Sequence, residues 1–441
     1  MNNDTIFALS SGHGKSGVAV IRISGDNLID IFHKFTGRKT ANPRHAYFAN
    51  LNDENGDLID QCLLLFFNAP NSFTGTDVIE IQSHGAPAVI NKIFDYLTNL
   101  GMRMATPGEF SRRAFYNNKM DLADVDGLAS LLDAQTDVQR RHALKSMLGQ
   151  DSKIYDTWRK QMLEISAFAS AILDYAPDDL PANIGETITE RTHNLWQEIT
   201  TALNGYKTSR AIRGGINVAL MGETNVGKSS IFNYLVGSNR AIVSDIAGTT
   251  RDVVSATMDI DGFMVNLSDT AGIRETDDEI ENIGIERTKS EIESADIVLH
   301  VYTPQNLPKD IIISDSRIGP NPVITVVNKS DTVSSDEQDY YNATYVSAKT
   351  GDGMPDLLDV LRAKIHEMFD NTESNLTINA RTKSLLETAQ NELYSALQSN
   401  GNYDIFAEHT RHAGDAIGKI LGTITATEIL DMTFGQLCLG K

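Results

Sequence analysis

Cysteine is almost missing from this chain: Cys62 and Cys438 are the only two in 441 residues. Two thiols so far apart argue against a disulfide framework and for a reducing compartment. Long apolar runs are missing too. The most conspicuous, CLLLFF (Cys62 to Phe67), is far shorter than the roughly 20 residues that cross a bilayer. The opening MNNDTIFALS has neither a basic region nor a long apolar segment, so a soluble, cytoplasmic chain without a membrane role is expected. Positive charge is scarce, with 38 Lys and Arg against 59 Asp and Glu, a net charge of −21. Such a chain does not hold nucleic acid mainly through its own field, although a local basic patch or a partner can deliver RNA to it.

What is present suits several packed cores. Hydrophobic residues make up 41%, and the length accommodates about three domains. Two stretches carry Gly-Lys-Ser: SGHGKSG (Ser11 to Gly17) and GETNVGKSS (Gly222 to Ser230). A phosphate loop reads G-x-x-x-x-G-K-[ST] between a buried strand and a helix. The first triplet fails, because Leu9 stands where the leading glycine belongs and VAVIRIS follows as a strand; IFALS, turn, VAVIRIS is the expected arrangement. The second passes. INVALMG is a buried-strand run, Gly222 and Gly227 have the required spacing, and Lys228, Ser229 and Ser230 open a helix.

Downstream motifs follow the order of a guanine-nucleotide switch. SATMDI, Asp261-Gly262 and FMVNLSDT predict a hairpin ending in Asp269-Thr270-Ala271-Gly272. There the aspartate can reach Mg²⁺ through water and the glycine N–H can meet a γ-phosphate. Two apolar strands, ADIVLHVY and PVITVVNKSD, come next. The second delivers Asn328-Lys329-Ser330-Asp331, the guanine-reading N-K-x-D, and Ser347-Ala348-Lys349 stands at the end of the following strand. Gly248-Thr249-Thr250-Arg251-Asp252 occupies the first switch position. Ile273 stands where Ras-like proteins carry a water-orienting glutamine, so hydrolysis must recruit another residue, with Glu275, Asp277, Asp278, Glu279 and Glu281 nearby.

Around this α/β segment, Met120 to Tyr206 and the stretches TKSLLETAQNELYSALQSN and DIFAEHTRHAGDAIGKILGTI show helical periodicity. The flanking helices are expected to pack together, with the GTPase segment inserted between them. Short strands and one helix (88–100) are expected in the first ~118 residues. Arg140, Arg141, His142 and Lys145 form a basic helix face that reads as solvated. A GTP-regulated ribosome-assembly or RNA-binding factor shares the switch motifs, but such factors often add a basic appendage, which this acidic chain does not obviously have.

Taken together, DTIFALSSGHGKSGVAVIRISG, SFTGTDVIEIQSHG, PGEFSRRAFYNNKMDLADVDGLASLL, GETNVGKSSIFNYL, DIAGTTRD, DTAGIRETDDEIENIGIER, NKSD and the tail LCLGK resemble the MnmE (TrmE) tRNA-modification GTPases over nearly the whole chain. The resemblance implies a multidomain α/β protein: an N-terminal α+β folate-binding and dimerisation domain (1–118), a discontinuous helical domain (119–210 and 373–441) and an inserted Ras-like P-loop GTPase domain (211–372). It implies a K⁺-stimulated GTPase working as a homodimer. With the FAD-dependent partner MnmG it would add aminomethyl or carboxymethylaminomethyl groups at C5 of the tRNA wobble uridine. The one-carbon unit would come from 5-formyltetrahydrofolate or methylenetetrahydrofolate.

By the matching motifs, GTP would meet Asn225, Val226, Gly227, Lys228, Ser229 and Ser230; Ser244, Asp245, Ile246, Ala247, Gly248, Thr249 and Thr250; Asp269, Thr270, Ala271 and Gly272; and Asn328, Lys329, Asp331, Ser347, Ala348 and Lys349. Mg²⁺ would be held by Ser229 and Thr250, K⁺ by Asn225, Ser244, Ile246 and Thr249. Glu281, Lys228 and Thr250 would be catalytic. Folate would meet Arg22, Glu80, Lys119 and Lys441, and Cys438 would have either a catalytic or a structural, positioning role. The chain departs from the family at SSGHGKSG, at TGTD, at Gly85-Ala86 and at the leucines flanking Cys438, all outside the GTPase core.

Overall fold

The computed structural model describes residues 4–238, 240–241, 254–269, 292, 294–307, 321–333, 343–369, 376–399, 401–423 and 440. Its strands are β1 (Ile6–Leu9), β2 (Ser16–Gly25), β3 (Tyr47–Asn52), β4 (Leu58–Phe67), β5 (Asp77–Gly85), β6 (Arg103–Met104), β7 (Ile216–Met221), β8 (Arg240–Ala241), β9 (Val254–Ile260), β10 (Phe263–Asp269), β11 (Ile297–Tyr302), β12 (Val323–Val327) and β13 (Thr344–Tyr345). Its helices are α1 (Ile29–Thr36), α2 (Pro87–Asn99), α3 (Glu109–Tyr116), α4 (Leu122–Asp133), α5 (Asp137–Met147), α6 (Gln150–Asp174), α7 (Ile184–Asn204), α8 (Tyr206–Gly214), α9 (Lys228–Ser238), α10 (Met354–Phe369), α11 (Ala380–Leu397) and α12 (Tyr403–Leu421). Contacts divide the chain into two units, one of 1–129, 145–193 and 391–441, the other of 130–144 and 194–390. Among the described residues no helix is long and apolar enough to cross a membrane.

The first unit carries a six-stranded sheet in the order β3-β4-β5-β2-β1-β6. β1 and β2 pair antiparallel, Ile6 opposite Ser24, so SSGHGKSG is the turn of a hairpin. The inner face of the sheet alternates as a half-buried sheet must, with Ile21, Ile23, Ile79, Ile81 and Leu64 in the core. Three helices accompany these strands where one was expected. α1 is only eight residues long, buries Phe32 and Phe35, and stops at Gly37 in a left-handed turn (φ 66°). α3 begins inside PGEFSRRAF, where Glu109 accepts from Thr106 N at 2.9 Å and pairs with Arg103 at 2.7 Å. Both owe their stability to such tertiary contacts more than to periodicity over a long window.

In the same unit α6 packs along α12, with Met162 Cβ 3.9 Å from where a Cβ on Gly414 would stand. The helical part of this unit is therefore closed by segments on either side of residues 194–390. α4 begins with a reciprocal cap. Asp124 N donates to Asp121 Oδ1 at 2.9 Å and Asp121 N to Asp124 Oδ2 at 3.0 Å. Ser152 Oγ lies 2.9 Å from Asp121 Oδ1 and 3.1 Å from Asp124 Oδ1, with one proton to give. Burial, with Asp121 and Asp151 adding to it, pushes the Asp124 carboxyl up to about 6.

The second unit is built on a seven-stranded sheet in the order β13-β12-β11-β7-β10-β9-β8. β7, β10, β11, β12 and β13 run parallel, and the apolar runs of the central strands β7 and β11 are buried almost throughout, as strands covered on both faces must be, whereas β10 alternates. β9 and β10 form the hairpin expected from Asp261-Gly262, both with positive φ (52° and 86°). β7 lies between β10 and β11, the point where an open parallel sheet reverses winding and a crevice opens at the C-terminal strand ends.

Candidate nucleotide site

The chain leaves β7 at Gly222 and enters α9 at Lys228. Side chains are excluded at two points of the intervening loop. A Cβ on Gly222 would stand 2.3 Å from the Val301 carbonyl oxygen, and one on Gly227 (φ 98°) 2.1 Å from Asn328 Nδ2. Between them Asn225 takes a left-handed φ of 63°, which asparagine tolerates better than most residues. The loop therefore curls tightly ahead of the positive end of an eleven-residue helix, an arrangement suited to phosphate. Val226 is buried beneath it.

Lys228 is 5% exposed, and its Nζ donates to the carbonyls of Gly222 and Glu223 at 2.7 and 2.8 Å. Burial lowers its pKa and the Asp269 carboxylate works against that. Ser229 Oγ donates to Asp269 Oδ2 at 2.6 Å, bringing a hydroxyl and a buried carboxylate from two elements to one place. Ser230 closes the first helical turn, its N–H on the Gly227 carbonyl at 3.1 Å.

The N-K-S-D segment ends β12 alongside this loop. Asn328 is 3% exposed; its Nδ2 donates to Val226 O at 2.8 Å and its Oδ1 accepts from Ala348 N at 3.0 Å. Lys329 Nζ donates to Asn225 O at 2.8 Å. Asp331 Oδ1 accepts from Ser347 Oγ at 2.8 Å, which fixes the carboxylate, and Lys349 is exposed on the turn that follows.

A second cluster sits on the six-stranded sheet. Arg22 on β2 lies opposite Glu80 on β5, and its Nε and Nη2 donate to Glu80 Oε1 at 3.0 and 2.8 Å. Its Nη1 reaches the Gly440 carbonyl at 3.2 Å, and its guanidinium lies 5.4 Å from the Phe73 ring centroid and 6.0 Å from that of Phe110. Ser10 Oγ also donates to Gly440 O, at 3.0 Å. Lys119 is exposed on the turn after α3 and makes no hydrogen bond to either partner among the described residues.

Residues 5–119 match the family model described as GTP-binding protein TrmE N-terminus, and residues 122–438 the one described as MnmE helical domain. The tRNA modification GTPase MnmE of Agrobacterium fabrum is 41% identical over 441 residues, 99% of each chain. The chain belongs to the MnmE family. The MnmE of Aquifex aeolicus is 35% identical, over 99% of this chain and 100% of that one. The solved G domain of the T. maritima FeoB iron transporter is 24% identical over 34% of this chain and 98% of its own, with a TM-score of 0.26. As a member of a GTPase family, the chain has the family's architecture: a TrmE N-terminal domain on the six-stranded sheet, a helical domain, and a G domain on the seven-stranded sheet inserted into it.

The structure brings together Asn225, Val226, Gly227, Lys228, Ser229, Ser230, Asp269, Asn328, Lys329, Asp331, Ser347 and Ala348, and, separately, Arg22 with Glu80. Ser244, Asp245, Ile246, Ala247, Gly248, Thr249, Thr250, Arg251, Asp252, Thr270, Ala271, Gly272, Glu281, Cys438 and Lys441 lie outside the described residues. Donors for Mg²⁺ fit so far as they are described: the Ser229 hydroxyl and the Asp269 carboxylate are hard oxygens within one coordination sphere of each other. For K⁺ only Asn225 is described, on an exposed left-handed turn. Sequence reasoning missed Ser10, Phe73 and Phe110, and also Asn306, whose Nδ2 donates to Glu223 Oε2 of the 222–229 loop at 2.8 Å. Phe110 stood in PGEFSRRAF, but nothing in its spacing showed that it would face an arginine from another strand.

Proposed function

We propose that the chain binds GTP with its phosphates in the 222–229 loop and guanine at Asn328–Asp331, and that hydrolysis drives modification of the tRNA wobble uridine. The observation that supports this most is the direct joining of the two recognition elements. Asn328 Nδ2 on Val226 O and Lys329 Nζ on Asn225 O, both at 2.8 Å, fix the phosphate loop and the base-reading segment within one nucleotide's length.

In this reading Lys228 gives up the Gly222 and Glu223 carbonyls to meet the outer phosphates, its ammonium offsetting their charge in a partly dry site. Asp331, braced by Ser347, accepts from guanine N–H groups, and Ala348 lines the base. Ser229 and Thr250 would hold Mg²⁺, near Asp269; when bound, the ion neutralises phosphate charge. Asn225, with Ser244, Ile246 and Thr249, would hold K⁺, which supplies the positive charge an arginine finger gives elsewhere, worth ~10³–10⁵ in rate. Glu281 orients the attacking water in place of the missing glutamine. Arg22, Glu80, Lys119 and Lys441 would bind 5-formyl- or methylenetetrahydrofolate, the source of the one-carbon unit. A second copy of the chain, the FAD-dependent MnmG and tRNA complete the assembly.

Steady-state GTP hydrolysis by the purified chain in KCl and in NaCl tests the reading. Strong activation by potassium, lost in Asn225→Ala, supports it. Equal rates in both salts remove the role given to Asn225, and no hydrolysis in either overturns the assignment. Unchanged tRNA nucleosides in a deletion strain would separate the GTPase from uridine modification.

A further inference from the structure

The phosphate loop is gripped at its second residue by a side chain that lies outside the motifs described above. Glu223 is exposed, and its Oε2 accepts from Asn306 Nδ2 at 2.8 Å. Asn306 stands in the turn that follows β11 and is fixed there: its Oδ1 accepts from Thr303 N at 2.6 Å and lies 3.0 Å from Thr303 Oγ1, while its own N–H donates to Thr303 O at 3.1 Å. Thr303 is buried. A side chain so held presents its amide as a rigid donor, which costs little ordering when the bond forms. The loop's other shoulder is fixed by Asn328 Nδ2 on Val226 O, and Asn328 N is itself tied to Tyr302 O at 2.8 Å. Both anchors thus trace back to the end of β11.

The two shoulders differ in charge. Val226 is held by a neutral group through a neutral carbonyl, whereas Glu223 brings a carboxylate to the neutral amide of Asn306. A loop built to receive a polyanion therefore carries a fixed negative charge. We propose that Glu223 and Asn306 set the residence time of the nucleotide through two opposed effects, the hydrogen bond holding the loop in its receptive curl and the carboxylate repelling phosphate. Glu223 and Asn306 are positioning residues. This inference rests on the nucleotide reading above.

The effects separate by mutation. Asn306→Ala removes the bond and keeps the charge. Glu223→Gln keeps an acceptor for Asn306 Nδ2 and removes the charge. Stopped-flow release of mant-GDP from the full chain with Mg²⁺ should be about three- to tenfold faster in Asn306→Ala, the range of one hydrogen bond. In Glu223→Gln release should be slower than in the wild type, and that difference should shrink as salt rises from about 50 to 500 mM, because exposed charges are screened. Equal rates, or changes in the same direction, overturn the proposal. Amide exchange over 222–227 without nucleotide is read in parallel. Asn306→Ala should raise it and Glu223→Gln should not. If the wild type fails to bind mant-GDP, the nucleotide reading falls; unchanged exchange in Asn306→Ala sinks the latch whether or not nucleotide binds.

Discussion

Asp124→Asn should make the protein more stable at neutral pH. The carboxyl has a folded pKa of about 6 against an ordinary 3.8, chiefly because the fold removes water from it. A carboxyl raised in this way penalises the fold wherever it is ionised. The penalty is complete above about pH 6, shrinks as pH falls, and vanishes below about 3.8. At about 1.4 kcal/mol per pH unit the ceiling is ~3 kcal/mol, and since the side chain is only partly buried ~1–2 kcal/mol is the working expectation. Asparagine retains an oxygen for Asp121 N, so the helix cap survives, and it removes a charge beside Asp121 and Asp151. Trp158 on α6 is 3% exposed and belongs to the same unit. With Trp196→Phe as background it becomes the only tryptophan and reports urea unfolding of that unit. The gain should be measured at pH 7.5 and at pH 4.5, where urea keeps a chain of pI about 4.8 in solution, and should fall to about a third. A loss of stability at pH 7.5, or an equal gain at both pH values, would refute the reasoning.

Other outcomes follow from the same geometry. Gly227→Ala puts a Cβ 2.1 Å from Asn328 Nδ2 at a φ of 98°, so mant-GDP affinity should drop at least a hundredfold while far-UV circular dichroism is preserved. Lys228→Ala should abolish GTP hydrolysis and leave the melting temperature within a few degrees, since it removes an ammonium that satisfies only two loop carbonyls. Glu109 is held down to about 2 against its usual 4.5 by Arg103, Thr106 N and Arg113, which together outweigh its burial. Its contribution is complete above about pH 4.5 and is lost as pH falls toward 2, so Glu109→Gln should destabilise by ~2–3 kcal/mol at pH 7, read by urea unfolding, with the difference narrowing below pH 4. Arg22→Lys replaces a planar donor that sends two nitrogens to Glu80 and a third to Gly440, and if the proposed folate site is right, quenching of intrinsic fluorescence by 5-formyltetrahydrofolate should weaken at least tenfold.

The elements that frame the candidate nucleotide site were legible because each is local. A buried-strand run, a glycine spacing and a Asp-Gly turn are each decided within a few residues, and the parallel sheet then collects their ends on one edge. The contacts between those parts were not legible. That Asn328 would brace Val226, or that Ser10 and Arg22 would share the Gly440 carbonyl, depends on chain segments 102 to 430 residues apart. α1 and α3 escaped for a different reason: at eight residues each they carry too few turns for periodicity to show, and Phe32, Phe35 and Phe110 hold them from outside.

The pairing of α6 with α12 has a consequence for how the protein is made. Roughly 230 residues, the whole G domain among them, separate Asp174 from Tyr403. At ~5–20 residues per second, a ribosome needs ~10–45 s to deliver the second helix after the first has emerged. During that interval Met162, Ile165 and Ala169, buried in the finished fold, wait without the partner helix that brings Gly414 against Met162. The nascent chain thus carries an apolar stripe through most of its synthesis, and the G domain has time to fold first. Chaperone demand should peak before the last forty residues are translated.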